Sequence, residues 1–242
     1  MHTSAIIVIG SEIISGRTQD LNVQFLAQKL DQRGIDLKEV RIITDDENMI
    51  IETVNALRSK YNYIFTTGGI GPTHDDITAL SIAKAFNLPL IRHPEIVDLI
   101  QKRKPKTVAA SYRMADVPEG STLIGNPVTQ VPGFKIENVY VFAGIPEIMQ
   151  GMFASIEETL VKGLPTLTKT IHCHMGESLL ADGLSTIQHK FKEVEIGSYP
   201  YQIETDWHVN VVVRSKDPKP LNAATQNIVD LIQELGGEPV QV

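Results

Sequence analysis

The sequence has little cysteine, little positive charge and no long apolar run. Its single cysteine, Cys173, can form neither an intrachain disulfide nor a cysteine-based zinc site, and a reducing compartment suits it. Lysine and arginine number 22 against 29 aspartates and glutamates, a formal charge of −7 that argues against nucleic-acid binding through a basic face. Neither a bilayer-spanning segment nor a signal peptide is apparent, because Ala5–Ile9 is a short apolar run with no basic region before it. We therefore expect a cytoplasmic protein without a nucleic-acid or membrane partner.

A short basic segment, residues 102–106, stands out against this acidic background. Such segments are usually solvated helix ends, and the alternative is that this one forms a wall of a pocket for anions. It is too short to indicate a nucleic-acid interface.

Apolar runs alternate with helical patterns in the first part of the chain. The continuous run Ala5–Ile9 predicts a strand that is buried on both faces, and Leu37–Ile43, Tyr63–Thr67 and Val139–Phe142 predict further strands. Apolar residues at helical spacing predict helices between them. This alternation predicts right-handed crossovers and an α/β fold with a doubly wound, mostly parallel sheet. The less regular segment Leu88–Gly133 is expected to pack over the sheet edge as helices and loops.

The pattern changes after Gly163-Leu164-Pro165, which looks like a linker. Beyond it, apolar runs and helical patterns follow in the order β-α-β-β-α-β, which is the arrangement of a small ferredoxin-like α+β domain. We therefore predict a larger domain over residues 1–163 and a smaller one over residues 166–242. The chain has 242 residues, 42% of them hydrophobic, which is enough for two cores.

The most informative segment is Thr66–Thr78, TTGGIGPTHDDIT, which joins a predicted strand to a predicted helix. The stretch Gly68–Gly71 lets the backbone approach a ligand without interference from Cβ atoms, and a helix start offers N–H groups to an anion. Asp75 and Asp76 would repel a phosphate held there unless a divalent cation bridges them to it. The segment therefore predicts a phosphate-binding loop with a metal ion. The alternative is a capped tight turn with Asp76 as the N-cap.

Other acidic residues follow the predicted strands. In doubly wound sheets ligands bind beyond the carboxyl ends of the strands, so these acids are expected along one edge. Carboxylate oxygens are the ligands that Mg²⁺ prefers, and the set could hold one or two ions. As an alternative, Asp45 and Asp46 are turn residues before a helix that begins near Asn48. The predicted metal ligands are Glu12, Asp46, Asp75 and Asp76.

Two weaker signals lie elsewhere. Asn126 and Pro132–Phe134 could frame a planar ring, with Asn126 offering amide donors and an acceptor, although proline-glycine pairs are usually turns. His172 and His174, two residues apart on a predicted strand, would share a face. A partly exposed strand face is favoured there over a metal site, because the sequence shows no third ligand nearby.

Thr66–Thr78 is similar to the signature of the molybdenum-cofactor biosynthesis (MoCF, MogA/MoaB-like) domain family. Its Gly-Pro-Thr-His-Asp-Asp form most resembles the CinA branch, the competence/damage-inducible proteins, and it also resembles the N-terminal domain of eukaryotic FAD synthase. The resemblance covers about residues 5–160, and the small domain resembles the middle domain of CinA. Further matches, in family order, are Gly10–Gly16, Asn22, Asn126-Pro127, Pro132–Phe134 and Gly144–Met149.

The resemblance implies a three-layer α/β/α fold with a site for molybdopterin or an adenine dinucleotide. In the CinA branch it implies a pyrophosphohydrolase for compounds of the ADP-ribose or FAD type. Its cofactor would be a divalent metal (Mg, Mn or Co), with K⁺ as a further candidate. The family pattern gives Asp76 and Asp46 as the catalytic acids. The residues implied to bind the ligand are Gly10, Gly16, Thr67, Gly68, Gly69, Gly71, Pro72, Thr73, Asn126, Pro132, Gly133 and Gly144.

Two other functions stay open. One is a pterin-binding or adenylyl-transfer module of molybdenum-cofactor assembly, and the other is a non-enzymatic ligand sensor whose small domain mediates assembly. The resemblance implies a homo-oligomer, either a dimer or a trimer, that binds a small nucleotide or pterin. The chain ends at Val242, so the C-terminal amidohydrolase domain of CinA is expected to be absent, and nicotinamide-nucleotide deamidation is not expected.

Overall fold

A computed structural model describes residues 2–102 and 108–241, which fall into two compact units, residues 1–163 and 164–242. Lys102 ends a helix, and the rest of the basic segment, residues 103–106, lies outside the described residues. No helix within the described ranges is both long and apolar enough to cross a membrane.

The first unit contains alternating strands and helices. Its strands are β1 His2–Ile9, β2 Ile35–Ile43, β3 Tyr63–Thr67, β4 Leu90–Arg92, β5 Asp116–Pro118, β6 Thr122–Ile124, β7 Gly133–Ile136 and β8 Val139–Phe142. Its α-helices are α1 Ser11–Ile14, α2 Asn22–Gln32, α3 Glu47–Arg58, α4 Thr78–Ala85, α5 Pro94–Lys102 and α6 Pro146–Ile156. Short 3-10 helices cover Ala109–Ala115 and Glu157–Thr159.

The described strands of this unit form a six-stranded sheet in the order β2-β1-β3-β8-β7-β6, and β4 and β5 pair separately. Strands β2, β1, β3 and β8 run parallel to one another. Strand β7 pairs antiparallel with both β8 and β6. The predicted doubly wound, mostly parallel sheet is therefore confirmed. The expectation of helices and loops over residues 88–133 was wrong in part, because this segment also supplies β4, β5, β6 and the first residue of β7.

The core lies on both faces of the sheet, which explains the continuous apolar runs. Along β1, Ala5, Ile7 and Ile9 pack on the face covered by α3, α4 and α5. Ile6 and Val8 point the other way and pack against α2 and α6. Side chains of a strand alternate between faces, so a strand covered on both sides is apolar at every position. The result is three layers, with β1, β3 and β8 central and their carboxyl ends at the same edge.

The second unit is smaller and contains β9 Leu167–Cys173, α7 Glu177–Lys190, β10 Glu195–Ile203, β11 Asp206–Ser215, α8 Pro218–Glu234 and β12 Val240–Gln241. In its described residues the strands form an antiparallel sheet in the order β10-β11-β9-β12. Residues of α7 and α8 pack with Ile171, Val209 and Val211 on one face of that sheet. This confirms the predicted β-α-β-β-α-β domain.

Glu39 joins β2 to the segment that follows α3. Tyr61 Oη donates to its carboxylate at 2.7 Å and Lys60 Nζ donates at 3.0 Å, while Arg41 Nε donates at 2.8 Å. These hydrogen bonds, that of Tyr61 being the strongest influence, lower the pKa of Glu39 from 4.5 to about 2.

We expect Glu39→Gln to reduce the acid sensitivity of the fold. A carboxylate with a depressed folded-state pKa stabilises the protein above its unfolded-state pKa, and this stabilisation is lost as pH falls from 4.5 towards 2. The variant should therefore melt at a lower temperature than the parent at pH 6, and the two melting temperatures should converge as pH approaches 2. Circular dichroism melts across this range measure the effect. A constant difference between the two proteins would contradict it.

Candidate functional site

A cavity of about 610 Å³, here called the main cavity, opens at the carboxyl ends of β1, β3 and β8. Its floor is the glycine stretch Gly68–Gly71 together with Gly144. The strand ends are in contact, since a Cβ on Gly144 would lie 3.2 Å from the Cα of Gly68. The parallel register that pairs Val8 with Thr67, and Thr67 with Phe142, brings these ends together.

The glycines of the loop are required by its conformation. Gly68 has φ of 103°, and a Cβ there would lie 2.1 Å from the carbonyl oxygen of Ile9. At Gly69, with φ of 67°, a Cβ would lie 2.2 Å from Thr78 Oγ1. Thr78 ties the loop to α4, because its Oγ1 donates to Gly68 O and its N–H donates to Gly69 O, both at 3.0 Å. At Gly68 and Gly69 the loop is therefore a fixed backbone surface, and Ile70 carries the one side chain of the stretch Gly68–Gly71.

The first turn of α4 differs from the expected anion-binding helix start. The N–H of Thr78 is used by Gly69 O, and the N–H of Ile77 donates to Asp75 O at 2.9 Å. Both amides therefore stabilise the loop. A phosphate in the main cavity would have to be bound by backbone N–H groups of Gly69–Gly71, because the N–H of Gly68 also has a partner and donates to Phe142 O at 3.1 Å.

Carboxylates form part of the wall of the main cavity, and they are Glu12, Asp45, Asp75 and Asp76. That of Asp76 lies against the glycine stretch itself, since a Cβ on Gly71 would be 2.5 Å from its Oδ2. Asp46 is absent from this wall: its Oδ1 accepts from Met49 N at 2.9 Å as the N-cap of α3. Asp45 instead points towards the strand ends, where its Oδ2 accepts from Ser11 N at 2.9 Å. Neighbouring residues of an extended segment point in opposite directions, so only one of the two can face the site. Asp46, predicted to be a metal ligand and catalytic acid, therefore does not line the main cavity, and Asp45 lines it instead.

Asp76 shapes the loop that follows the glycines. Its Oδ2 accepts from the backbone N–H of Thr73 at 2.8 Å and from the hydroxyl of Thr73. It does not cap α4, whose N-cap is Ile77 without a side-chain hydrogen bond. The pKa of Asp75 is lowered, mainly by a hydrogen bond from the Thr73 side chain and then by one from its own backbone. Asp75 therefore carries negative charge into the cavity at neutral pH.

The metal-binding capacity of this wall is limited. Within residues 2–102 and 108–241, no group of three or more histidine, cysteine, aspartate or glutamate side chains is arranged to hold a metal ion. The four carboxylates share the main cavity without converging on one point. This fits an ion of the Mg²⁺ type, which is usually bound by one or two carboxylates while substrate phosphates and water complete its shell. The described residues form no preformed metal-binding cage, and a phosphate would be needed to complete one.

The histidines of the small unit form a cluster but add no metal-binding group to the described residues. His172 and His174 share a face with His208, which stacks on them with ring centroids 5.3 and 4.6 Å apart. Tyr201 Oη lies 2.6 Å from His172 Nδ1. A third histidine is thus nearby, contrary to the sequence-based expectation, yet the described residues contain no metal-binding group here either.

The remaining wall of the main cavity is largely apolar and consists of Met114, Val131, Pro132, Ile145, Ile148 and Met152. Such a surface is suited to a planar ring. Asn126 supports this wall, since its Nδ2 donates to Val131 O at 2.7 Å and its Oδ1 accepts from Val128 N and Thr129 N at 3.1 Å. Its amide therefore holds a loop instead of offering free donors to a ligand. Helical periodicity cannot separate Ile148 and Met152 from core residues, so sequence reasoning missed them.

The predicted ligand-binding residues separate into two groups. Those that line the main cavity are Gly68, Gly69, Gly71, Pro72, Asn126, Pro132 and Gly144. Those that do not are Gly10, Gly16, Thr67, Thr73 and Gly133. Gly133 has a structural role, because a Cβ there would lie 2.3 Å from Val141 O in the neighbouring strand. Gly16 serves a turn with φ of 68°, and Thr67 lines a separate small cavity.

Comparison with known proteins identifies both units. Residues 5–163 match the family described as a probable molybdopterin binding domain, and residues 165–237 match the middle domain of FAD synthase. A protein of Archaeoglobus fulgidus is 33% identical over 229 residues, which cover 95% of this chain and 97% of that protein. A probable FAD synthase of Caenorhabditis elegans is 26% identical, and the match covers 95% of this chain but 50% of the enzyme.

A solved structure supports the same assignment. The crystal structure of the protein CinA from Thermoplasma acidophilum is similar with a TM-score of 0.61 and 25% sequence identity, covering 65% of this chain and 96% of that one. The family match alone spans residues 5–163, which is more than half of the 242-residue chain. The chain therefore belongs to the molybdopterin-binding-domain family, with CinA-like proteins and FAD synthases among its relatives.

Proposed function

We propose that this protein hydrolyses a P–O–P bond in an adenine dinucleotide of the ADP-ribose or FAD type, with a divalent metal ion as cofactor. The observation that supports it best is that one cavity holds both a glycine-rich backbone and a set of carboxylates. Gly68, Gly69 and Gly71 line it together with Glu12, Asp45, Asp75 and Asp76. The volume of the main cavity, about 610 Å³, suits a ligand of nucleotide size.

Charge explains why a metal ion is part of the proposal. A diphosphate against the glycine backbone would be repelled by the acids unless a cation lay between them. Asp45, oriented by Ser11 N–H, and Asp76, oriented by Thr73, are the residues that would hold it. When bound, such an ion neutralises phosphate charge and activates a water molecule.

The role of the chain is to position the substrate. The glycine backbone holds the diphosphate, and the apolar wall with Met114 and Met152 holds a planar ring. In the reaction a water oxygen bonds to one phosphorus while the bond from that phosphorus to the bridging oxygen breaks. The bridging oxygen leaves on the second phosphate, and the two protons of the water pass to solvent, because both monoester products are largely dianions at neutral pH. The products are two phosphate monoesters, one of which is AMP.

We expect the pure protein to release AMP from ADP-ribose or FAD when Mg²⁺, Mn²⁺ or Co²⁺ is present, and to release none after treatment with EDTA. Chromatography of the reaction mixture detects AMP directly. If no AMP forms with any of these metals and substrates, hydrolysis is not the function of the site.

The alternative is a molybdopterin-binding or adenylyl-transfer function. It is favoured by the absence, within the described residues, of a group of side chains that could hold a metal ion without substrate. The same main cavity would then bind a pterin on its apolar wall. Mass spectrometry of small molecules that co-purify with the protein separates the two functions, because retained molybdopterin together with an absence of AMP release supports the alternative.

A further inference from the structure

A second, smaller cavity lies beside the main cavity, on the α2 side of the strand ends. This inner cavity has a volume of about 60 Å³ and shares Glu12, Thr18 and Gly144 with the main cavity. Its other polar walls include Asp20, Asn22 and Thr67. Thr67 directly precedes the glycine stretch, so a group in the inner cavity would lie next to a phosphate held by the loop.

Two buried oxygens on this wall lack hydrogen-bond partners. Asn22 is 4% exposed, and its Nδ2 donates to Gly144 O at 2.8 Å, but its Oδ1 has no partner among the described residues. Thr67 is 1% exposed, and its Oγ1 is likewise without a partner in the described part of the chain. Buried polar atoms are nearly always hydrogen-bonded, since leaving one unpaired destabilises the fold. These two atoms therefore point to a ligand or to water.

The chemistry of the wall selects the kind of ligand. Asn22 Oδ1 can only accept a hydrogen bond, a carboxylate such as Asp20 also accepts, and the Thr67 hydroxyl can donate or accept. Hydrogen-bond acceptors dominate this wall, so a ligand that donates hydrogen bonds through hydroxyl groups fits it better than a further phosphate. The volume of about 60 Å³ gives room for roughly four water-sized groups, enough for the diol edge of a sugar.

We propose that the inner cavity binds the vicinal hydroxyl groups of a ribose whose diphosphate lies on the glycine loop, with Asn22 and Thr67 as the specificity-determining residues. This inference rests on the proposed function, because it requires a diphosphate on Gly68–Gly71. It adds that the site distinguishes ribonucleotides from deoxyribonucleotides. In a nucleoside diphosphate the ribose is attached directly to the phosphates, as the contiguity of the two cavities requires.

The test is calorimetric binding of ADP, 2′-deoxy-ADP and 3′-deoxy-ADP to the full chain in the presence of Mg²⁺. We expect ADP to bind roughly tenfold more tightly than at least one of the deoxy forms, because a lost hydrogen bond leaves a buried oxygen unpaired. Equal affinity for all three ligands would overturn the inference and leave the phosphate site standing. Failure of all three to bind would also overturn the inference, and AMP release from ADP-ribose would then show that the proposed function stands without it.

The neighbouring threonines provide a matched pair of variants. Thr66 Oγ1 is also buried without a partner in the described residues, but Thr66 lines neither cavity and pairs with Ile7, on the α3 side of the sheet. Neither Thr66→Val nor Thr67→Val removes a hydrogen bond of the ligand-free protein, so both should fold. We expect Thr67→Val alone to lose the discrimination between ADP and its deoxy forms. Retained discrimination in Thr67→Val, or a crystal structure with ADP showing only water or an ion in the inner cavity, would overturn the proposal.

Discussion

Gly68→Ala is expected to destabilise the first unit by about 2–5 kcal/mol and to abolish ligand binding in the main cavity. A Cβ at this position would lie 2.1 Å from the backbone carbonyl of Ile9, and the residue has φ of 103°. A backbone oxygen at the end of β1 cannot move aside as a flexible side chain would. The collision therefore forces apart the carboxyl ends of β1 and β3, where the main cavity opens. Thermal unfolding should show a melting temperature lowered by roughly 10 °C.

Gly120→Ala is the matched control. Gly120 also has a positive φ, of 80°, but a Cβ there would meet no atom of the described residues within 4 Å. This variant isolates the cost of placing alanine in a left-handed conformation, which is about 1–2 kcal/mol. Binding of ADP measured on both variants then separates backbone strain from the collision. Equal melting temperatures for the two variants would show that the close approach of Gly68 to Ile9 does not exist in solution.

The central strands could be predicted because burial on both faces leaves a strong signal. Ile6, Ile7 and Val8 are all fully or almost fully buried, on alternating sides, so the run is apolar without interruption. Strands β6 and β7 gave no such signal. They have three and four residues, respectively, and lie at the antiparallel edge of the sheet. Their pairing, of β7 with β8 and of β6 with β7, is decided by those neighbouring strands and not by local periodicity.

The glycine loop could also be located from sequence, since few residues other than glycine suit positive φ and close backbone approach. The direction in which each neighbouring side chain points could not be predicted from sequence. Asp45 and Asp46 are chemically identical, and the sequence alone does not show where α3 begins. Because α3 starts at Glu47, Asp46 becomes the N-cap and Asp45 turns to the cavity. A shift of one residue in that helix boundary would exchange their roles.

The inner cavity illustrates a further limit of sequence reasoning. Thr66 and Thr67 are adjacent, buried and identical, and they face opposite sides of the sheet because side chains alternate along a strand. Which groups surround each hydroxyl depends on elements distant in the chain, and for Thr67 these are Asn22 of α2 and Gly144 after β8, which line the same inner cavity. Local sequence does not contain that information.

Asp45→Asn is expected to reduce AMP release from ADP-ribose by roughly a hundredfold while leaving the melting temperature nearly unchanged. The amide oxygen of asparagine can still accept the hydrogen bond from Ser11 N, so the side chain keeps its place and loses only its charge. That charge faces the main cavity, where the proposed function requires it to hold a cation beside the diphosphate. Steady-state kinetics with Mg²⁺, together with thermal unfolding, measure both quantities.

Asp46→Asn makes the same chemical change one residue away and removes the same charge from the protein as a whole. Asparagine is about as good an N-cap as aspartate, so the hydrogen bond to Met49 N should persist, and both activity and stability should stay near the parent values. Asp46→Ala should instead lower stability by about 1 kcal/mol without a change in turnover by the folded protein. Loss of activity in Asp46→Asn with full activity in Asp45→Asn would reverse the assignment, because it would show that the acid chosen from the family pattern faces the ligand and that α3 begins one residue away from Glu47.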